Sequence, residues 1–475
     1  MYIGVMSTPT PPASEPPNAV ADDPPAHGVP PHAQPDVLAA VRGDLTDWRA
    51  WMARTIVLAH AAAAGLAVVA FTRLSEFAMQ GFSALVAGRP WVALVWTPLL
   101  CVALSWLTVR RFPGAGGSGI PQVMAALDPA VAMSQWPLFV SLRLSLAKIV
   151  LTAGGLLAGL PIGREGPAVQ IAAGVMQNAQ RWLPARSSVS PHGLLVAGGA
   201  AGIAAAFNAP LAGVTFAIEE LTTRIEQRNS GLVIAAIVLA GVIAISAFGN
   251  ATYFGVIHVA TLDARFLGPA LLVVGGSGLI GGFFSRLLQT SLIAQPGRIG
   301  AWRRRHPVAF AGLCGLGVAV TGLVSAGATF GGGYEYTRRL VQGEGNLPLL
   351  YVTLRLVATW LACWSGVPGG LFAPSLALGA GIGYDVAALT GWTEASPALI
   401  ALGMAGFLAA VTKAPITSFI IVMEMVDGHA MVLSLMAGAL GASLIARWLS
   451  HPLYPALARA QLLRLGARAP GAADA

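Results

Sequence analysis

The chain has 475 residues, of which 56% are hydrophobic and only 10% are charged, and its mean hydropathy is +0.70. Soluble domains carry about 25% charged residues, so this composition excludes an ordinary soluble protein and predicts one that crosses a membrane several times. The net charge of +8 includes arginine clusters in short connections between apolar segments, as in Trp302–Arg305. Such clusters are typical of cytoplasmic loops and do not indicate nucleic-acid binding.

The chain begins with a polar stretch and continues as a series of apolar segments. Residues 1–45 are rich in Pro, Ala and Asp and lack the basic-then-apolar start of a signal peptide, so we expect a disordered tail. A membrane domain is expected over residues 46–455, with halves of about 50–230 and 231–455, before a short tail at 456–475. The predicted apolar segments are Thr55–Phe71, Trp91–Val109, Leu138–Leu160, Pro167–Met176, Leu194–Leu221, Gly231–Phe248, Leu267–Phe284, Val308–Phe330, Leu347–Ser365, Gly369–Leu389, Pro397–Val426 and Met431–Leu449.

Many of the 57 glycines and 32 prolines lie inside these apolar segments, which predicts broken helices. Three interruptions share one design, namely Gly117–Pro121, Gly163–Pro167 and Gly369–Pro374. Each ends in a proline that can open a helix, so each would present free backbone N–H groups and the positive end of a helix dipole. Together in mid-membrane they would form an anion site without a full positive charge. The alternative for any single motif is a kink that serves packing.

Charged side chains inside the apolar segments form a second signal. Glu165 lies in the middle motif, where a carboxylate costs roughly 2.5–3.5 kcal/mol, so a functional role is predicted. An ionised carboxylate can occupy an anion site in place of the anion, and protonation removes that affinity. The only lysines, Lys148 and Lys413, also lie in apolar segments. Pairing of Lys148 with Asp128 is one hypothesis, and Lys413 can equally be a structural residue that extends toward the interface.

A weak internal repeat divides the chain. Ala201–Glu219 resembles Ala405–Glu424, and upstream Gly166–Gly174 can be laid on Ala373–Gly381 at similar spacing. Two matches in the same order predict two related halves with a substrate site between them.

The motifs Gly-Ser-Gly-Ile-Pro, Gly-Arg-Glu-Gly-Pro and Gly-Gly-Leu-Phe-Ala-Pro are intact and in order. With them, the chain resembles the CLC family of chloride channels and proton-coupled chloride transporters from about Trp51 to its C-terminus. The resemblance implies an all-α polytopic membrane protein, with the CLC-type fold of two inverted-topology repeats built from broken and tilted helices. It also implies a homodimer with one pore per subunit, a bacterial-type inner membrane and cytoplasmic termini.

The resemblance further assigns the anion site and its substrate. It implies that Glu165 is the gating glutamate and that chloride is the preferred anion because Ser118 stands in its motif, with bromide and nitrate also permeating. For Tyr454 alone, the alternative is an interfacial tyrosine. The implied anion-binding residues are Ser118, Gly119, Ile120, Leu371, Phe372 and Tyr454.

A pair of glutamates separates an exchanger from a channel. Glu219 and Glu220 lie toward the end of a helix expected from Pro210 to Thr223. The resemblance makes Glu220, with Glu219 beside it, the internal proton-transfer position of many exchangers. Chloride/proton antiport is therefore the predicted function, and a passive chloride channel is the alternative. Either glutamate alone could simply end a span in solvent.

Other classes of function find less support in the sequence. An intramembrane enzyme with Glu165 as general base lacks an apparent partner side chain. The three cysteines, Cys101, Cys314 and Cys363, are scattered, and the histidines form no ligand pattern, so neither a metal nor a cofactor is expected. A non-transporting relative would be expected to carry damaged anion motifs, and these motifs are intact.

Overall fold

The computed structural model describes residues 47–466 except 186, 188, 223–229, 250–251, 258–265, 346, 349 and 393–395. The predicted tail at residues 1–45 therefore lies outside the described part. From Arg49 onward the chain forms one compact unit.

The regular elements of the described ranges are helical, which confirms the predicted all-α fold. Eight helical stretches in these ranges are long and apolar enough to cross a membrane. The α-helices are α1 Trp48–Val86, α2 Ala93–Arg111, α3 Ile120–Ala126, α4 Leu142–Leu157, α5 Glu165–Asn178, α6 Pro191–Phe207, α7 Pro210–Phe216, α8 Ser230–Phe248, α9 Leu267–Gln289, α10 Gly297–Arg305, α11 Pro307–Val324, α12 Tyr334–Val341, α13 Tyr351–Ser365, α14 Phe372–Thr390, α15 Ser396–Thr412, α16 Pro415–Met425, α17 Val432–Arg447 and α18 Leu453–Gly466.

The helix α1 is much longer than the apolar segment predicted within it. It extends over 39 residues and continues through Arg73 and Glu76. The polar turn is accommodated because Glu76 forms an ion pair with Arg164 from the start of α5, at 3.1 Å. A contact between distant parts of the chain thus prolongs the helix beyond its apolar run.

The two halves break their helices in the same way. The α6–α7 junction has a left-handed residue, Asn208 at φ 56°, two positions before Pro210. At the α15–α16 junction Lys413, at φ 68°, stands two positions before Pro415. A left-handed residue ends a helix and the proline opens the next one. The apolar segment predicted as Pro397–Val426 is therefore two helices, and its break matches the repeat.

Small residues let the central helices approach closely. A Cβ on Gly202 of α6 would lie 2.5 Å from the carbonyl oxygen of Ala168 in α5. In the other half, a Cβ on Gly379 of α14 would lie 2.2 Å from the carbonyl oxygen of Gly403 in α15. Only glycine fits at such distances, so these contacts set the positions of α5 and α14 and of their N-termini.

Two predicted boundaries differ from the helices observed. The helix expected from Pro210 to Thr223 consists of α7 followed by a π-helical turn over Ala217–Leu221, while Thr223 is not described. Helix α18 crosses the boundary predicted at residue 455, and its first residues, Leu453 and Tyr454, are fully buried. This helix start therefore packs inside the molecule.

Candidate anion site

Backbone hydrogen bonds join the three glycine–proline loops. Gly163 and Gly370 form an antiparallel bridge, with N–H···O distances of 2.8 Å and 2.7 Å in the two directions. The N–H of Gly369 also donates to the carbonyl oxygen of Gly117 at 3.3 Å. The loops lead into helices that begin at Ile120, Glu165 and Phe372. The three helix N-termini singled out in the sequence therefore lie together.

The loops meet at distances that exclude side chains. A Cβ on Gly166 would lie 2.3 Å from the Ser118 hydroxyl oxygen and 3.3 Å from the Cα of Gly370. Gly119 has a φ of 112°, which strongly favours glycine, and its Cβ would lie 2.5 Å from the carbonyl oxygen of Gly166. Glycine is thus required where the motifs touch.

Two buried hydroxyl groups lie at this junction. The side chains of Ser118 and Tyr454 are 6% and 0% exposed, and their hydroxyls lie close enough to interact with each other. Neither hydroxyl has another hydrogen-bond partner among the described residues. The Tyr454 ring stacks on that of Phe372, with centroids 6.0 Å apart and an interplanar angle of 10°. A buried hydroxyl that lacks partners costs about 1–3 kcal/mol, so a ligand such as an anion is favoured beside these two groups.

Lys148 holds the loop that carries Ser118 through hydrogen bonds to backbone carbonyl groups. Its ammonium group is fully buried and donates hydrogen bonds to the carbonyl oxygens of Ala115 and Gly117, each at 2.7 Å. Asp128 instead accepts a hydrogen bond from the N–H of Ala130 at 2.9 Å. The hypothesis of a Lys148–Asp128 pair is therefore wrong, because loop carbonyls satisfy the lysine.

Lys413 is held by groups near the α15–α16 break. Its ammonium group donates to the carbonyl oxygen of Ala410 and to the hydroxyl of Ser450, the latter at 3.2 Å. These contacts fit the structural alternative for this lysine.

Glu165 is the first residue of α5, and its side chain is fully buried. One carboxyl oxygen accepts a hydrogen bond from the Tyr334 hydroxyl. The carboxyl group also lies close to the backbone N–H of Ala373, in the first turn of α14. The carboxyl group therefore occupies the end of a helix that the sequence predicts to attract an anion.

The neighbouring Arg164 belongs to a separate polar cluster. Its Nη1 lies 3.1 Å from a Glu76 carboxylate oxygen, and its Nη2 donates to the Tyr253 hydroxyl. The guanidinium group also lies 5.0 Å from the centroid of the Tyr334 ring. Glu76 thus supplies the ion pair of this buried arginine, while Tyr334 contacts both Arg164 and Glu165.

The sequence prediction missed Tyr334, Tyr253 and Glu76. Tyr334 opens α12 directly after Gly331–Gly333, where two of the three glycines have positive φ. A glycine-rich loop before a helix was the available signal, although no proline accompanies it. No local pattern marks Tyr253 or Glu76, whose partners are distant in the chain.

Glu220 is the second of the two neighbouring glutamates singled out in the sequence. It is half-buried in the π-helical turn that ends α7. The Tyr454 hydroxyl lies within electrostatic range of both the Glu220 and the Glu165 carboxyl groups. Tyr454 is therefore near both glutamates singled out in the sequence.

Glu219 has a different environment from Glu220. Its carboxylate accepts hydrogen bonds from the backbone N–H groups of Ile416 and Thr417, in the first turn of α16, at 3.1 Å and 2.6 Å. Glu424, at the end of α16, makes the equivalent contacts to the first turn of α7 at 3.2 Å and 2.7 Å. The two carboxylates thus cap helices in opposite halves of the molecule.

A cavity of about 960 Å³, here called the vestibule, extends from the surface to the loops. Ser118 and Leu371 line its inner part. Arg303 and Arg464 also line it, so an anion in the vestibule would pass positive side chains on its way to Ser118.

Comparison with protein-family models gives a match to the voltage-gated chloride channel model over residues 99–447. An H⁺/Cl⁻ exchange transporter, ClcA, from Citrobacter koseri is 34% identical over 413 residues, covering 82% of this chain and 84% of the relative. The transporter of the same name from Klebsiella pneumoniae is 33% identical over 424 residues, covering 84% of this chain and 87% of the relative.

A solved structure of a slow cyanobacterial Cl⁻/H⁺ antiporter superimposes with a TM-score of 0.74 at 23% sequence identity. The match covers 87% of this chain and 99% of that chain. At this identity the likeness is one of fold, and it confirms the fold expected from the three motifs.

Proposed function

Because this chain belongs to the CLC family of voltage-gated chloride channels and transporters, we propose that it exchanges chloride for protons across a membrane. The observation that carries the proposal is the buried Glu165 carboxyl group at the start of α14, near the buried hydroxyls of Ser118 and Tyr454, which have no partner among the described residues besides each other. One ionisable group at an anion site can bind a proton and compete with chloride. Exchange requires such a shared position.

Chloride reaches the site through the vestibule. Its ligands are the hydroxyls of Ser118 and Tyr454 and the backbone amides around two helix starts, Gly119–Ile120 and Leu371–Phe372. Hydroxyl and amide dipoles attract the anion without a fixed positive charge in the site, so it can also leave.

Glu165 alternates between two states. Ionised, it occupies the anion position at the start of α14 and blocks the path. Protonated, it has no charge to hold it there and gives way to chloride. Each cycle of protonation and displacement of the Glu165 carboxyl group therefore couples the movement of a proton to the movement of chloride.

Protons reach Glu165 from the cytoplasmic side through Glu220, which does not line the vestibule. Tyr454 lies within electrostatic range of both carboxyl groups, which supports a proton path between the two glutamates. Similarity to relatives named H⁺/Cl⁻ exchange transporters supports antiport over a passive channel.

Purified protein in sealed vesicles tests the function. A chloride gradient should drive protons uphill, recorded with chloride and pH electrodes together. Glu220→Gln should keep chloride flux and lose proton movement, and Glu165→Gln should lose proton movement because the shared group no longer titrates. Chloride flux in the unmodified protein without any coupled proton movement would show a passive channel instead.

The wider setting belongs to the same proposal. The protein is a multi-pass membrane protein, and we place it in a bacterial inner membrane with cytoplasmic termini and the arginine-lined end of the vestibule toward the cytoplasm. It forms a homodimer with one pore per subunit, and bromide and nitrate pass with chloride.

A further inference from the structure

Three arginines from two helices line a second cavity beside the vestibule. This cavity, here called the arginine cavity, has a volume of about 530 Å³ and contains Arg303 and Arg304 of α10 and Arg464 of α18. Arg303 and Arg464 line the vestibule as well. The arginine cavity therefore lies where an anion would enter the path to Ser118.

Backbone carbonyl groups hold all three guanidinium groups in place. Arg303 Nε donates to the carbonyl of Trp364 at 2.9 Å, and Arg304 Nη1 donates to that of Gln295 at 2.8 Å. Arg464 Nη2 donates to the carbonyl oxygen of Leu292 at 3.1 Å. A guanidinium group has five N–H donors, so each arginine retains donors for a ligand.

The described part of the chain supplies no carboxylate partner to these three arginines, in contrast to Arg73, Arg164 and Arg339. Burial, together with the nearby Arg464 guanidinium group, lowers the pKa of Arg303 to about 10. The charges of Arg303 and Arg464 therefore repel each other, and an anionic ligand would relieve that repulsion.

The shape and surroundings of the cavity indicate which anion fits. Its volume is far larger than a chloride ion needs, and guanidinium groups bind phosphate oxygens in pairs of parallel hydrogen bonds. Trp364, whose carbonyl holds Arg303, stacks with Trp360 at 4.7 Å and packs against Phe310 at 4.7 Å. Clusters of tryptophan are typical of the membrane interface, where lipid phosphates lie.

We propose that the arginine cavity binds a phosphate group and that its occupancy slows entry of anions into the vestibule. The phosphate belongs to a lipid headgroup or to a soluble phosphate, since both present the same oxygens. Binding neutralises positive charge that the vestibule shares, which lowers the local chloride concentration. The effect on transport rests on the proposed function, whereas binding does not.

Binding is measured on the purified full-length protein in detergent, by calorimetry and by the thermal unfolding midpoint. The probes are sodium pyrophosphate, phosphatidic acid in mixed micelles, and phosphatidylcholine as the lipid comparison, with sodium gluconate matching ionic strength. Arg304→Gln and Arg464→Gln should each weaken binding of the effective probe about fivefold, the effect of losing a partly exposed charge-assisted hydrogen bond. Both side chains are exposed, so these variants should fold.

Arg305→Gln is the matched control, because Arg305 is also an exposed arginine of α10 and does not line either cavity. Binding of pyrophosphate alone identifies a soluble ligand, binding of phosphatidic acid alone a lipid, and binding of both a general phosphate site. No binding by either probe overturns the proposal. Equal weakening by all three substitutions also overturns it, since that indicates unspecific surface attraction.

Transport is then compared with and without the effective probe. Chloride exchange should fall in the unmodified protein and in Arg305→Gln at about the same probe concentration, and in Arg464→Gln only at a concentration about fivefold higher. If the probe binds but chloride exchange does not change, the proposed slowing of anion entry into the vestibule is wrong, while the phosphate site in the arginine cavity is retained. Absence of any chloride transport contradicts the proposed function instead, and the binding measurements still report on the cavity.

Discussion

At the scale of single residues, the Tyr334 hydroxyl contacts the carboxyl group on which the proposed exchange depends. It donates a hydrogen bond to the Glu165 carboxyl group from the start of α12. A hydrogen bond to a charged group contributes about 1.5–3 kcal/mol, and about 1.4 kcal/mol changes an equilibrium constant tenfold. The Glu165 carboxyl group is therefore held by a neighbouring side chain as well as by the start of α14.

Substitution of Tyr334 by phenylalanine tests this contact. The variant Tyr334→Phe should bind chloride about tenfold more tightly at neutral pH, because ionised Glu165 loses a stabilising donor and competes less well. Isothermal calorimetry on the purified protein gives the chloride affinity. Tyr253→Phe serves as the control, since the Tyr253 hydroxyl contacts Arg164. The same chloride affinity in the unmodified protein and in Tyr334→Phe would show that Tyr334 does not affect competition between Glu165 and chloride.

The sequence predicted the residues that lie in motifs and missed those that act through the fold. Ser118, Glu165 and Phe372 stand at or beside a helix start in a glycine–proline loop, so local chemistry was enough to group them. Glu76 and Arg164 are 88 positions apart, and no local rule links them. Their pairing depends on how α1 packs against the start of α5, which only the three-dimensional structure provides.

At the scale of elements, the contact between loops requires Gly166. A Cβ at this position would lie 2.3 Å from the Ser118 hydroxyl oxygen, so Gly166→Ala must displace Ser118 or the loop. We expect chloride affinity to fall by about tenfold or more, the effect of one lost hydrogen bond to an anion. Gly275→Ala in α9 is the control, because its Cβ meets nothing within 4 Å. Normal chloride binding in Gly166→Ala would show that the loops need not touch.

Reciprocal caps connect helices α7 and α16. Glu219→Ala and Glu424→Ala each remove a carboxylate from the first turn of the opposite helix, so each should lower the free energy of unfolding by about 1 kcal/mol. Thermal unfolding of the purified variants measures this loss. The exposed Glu344→Ala is the control and should leave stability nearly unchanged.

Measurement of coupled proton movement distinguishes a capping role of Glu219 from a role in proton transfer. If Glu219 acts as a cap, Glu219→Gln should retain coupled proton movement while Glu220→Gln loses it. Loss of coupling in both variants, with stability unchanged in Glu219→Ala, would instead assign Glu219 to the proton path that the sequence predicted for the pair.

Helix boundaries could be predicted only where a break in an apolar segment coincides with a helix-breaking residue such as proline. The break before Pro210 was visible, and the repeat pointed to its counterpart before Pro415. The sequence could not reveal the π-helical turn at Ala217–Leu221, because the capping partner of Glu219 lies 197 positions away.

At the scale of the whole molecule, equivalent parts of the two halves meet twice. The Gly163–Gly370 bridge joins one helix-start loop from each half, and the Glu219 and Glu424 caps join α7 to α16. Both contacts exchange equivalent groups between the halves, as the internal repeat suggests. The anion site is thereby built from both halves, with the vestibule on one side and the Arg164–Tyr334 cluster beside Glu165.

The vestibule predicts that reagents reach the anion path from one face. Gln461 of α18 lines it, whereas Cys101 and Cys314 are buried. In a Cys363→Ser background, which removes the one native thiol lining the vestibule, Gln461→Cys should lose most chloride exchange after treatment with an anionic methanethiosulfonate. The loss should occur in inside-out membrane vesicles and not in right-side-out ones, because positive-inside loops place Arg303 toward the cytoplasm. Cys363→Ser alone should be insensitive, and equal inhibition in both vesicle types would contradict a one-sided vestibule.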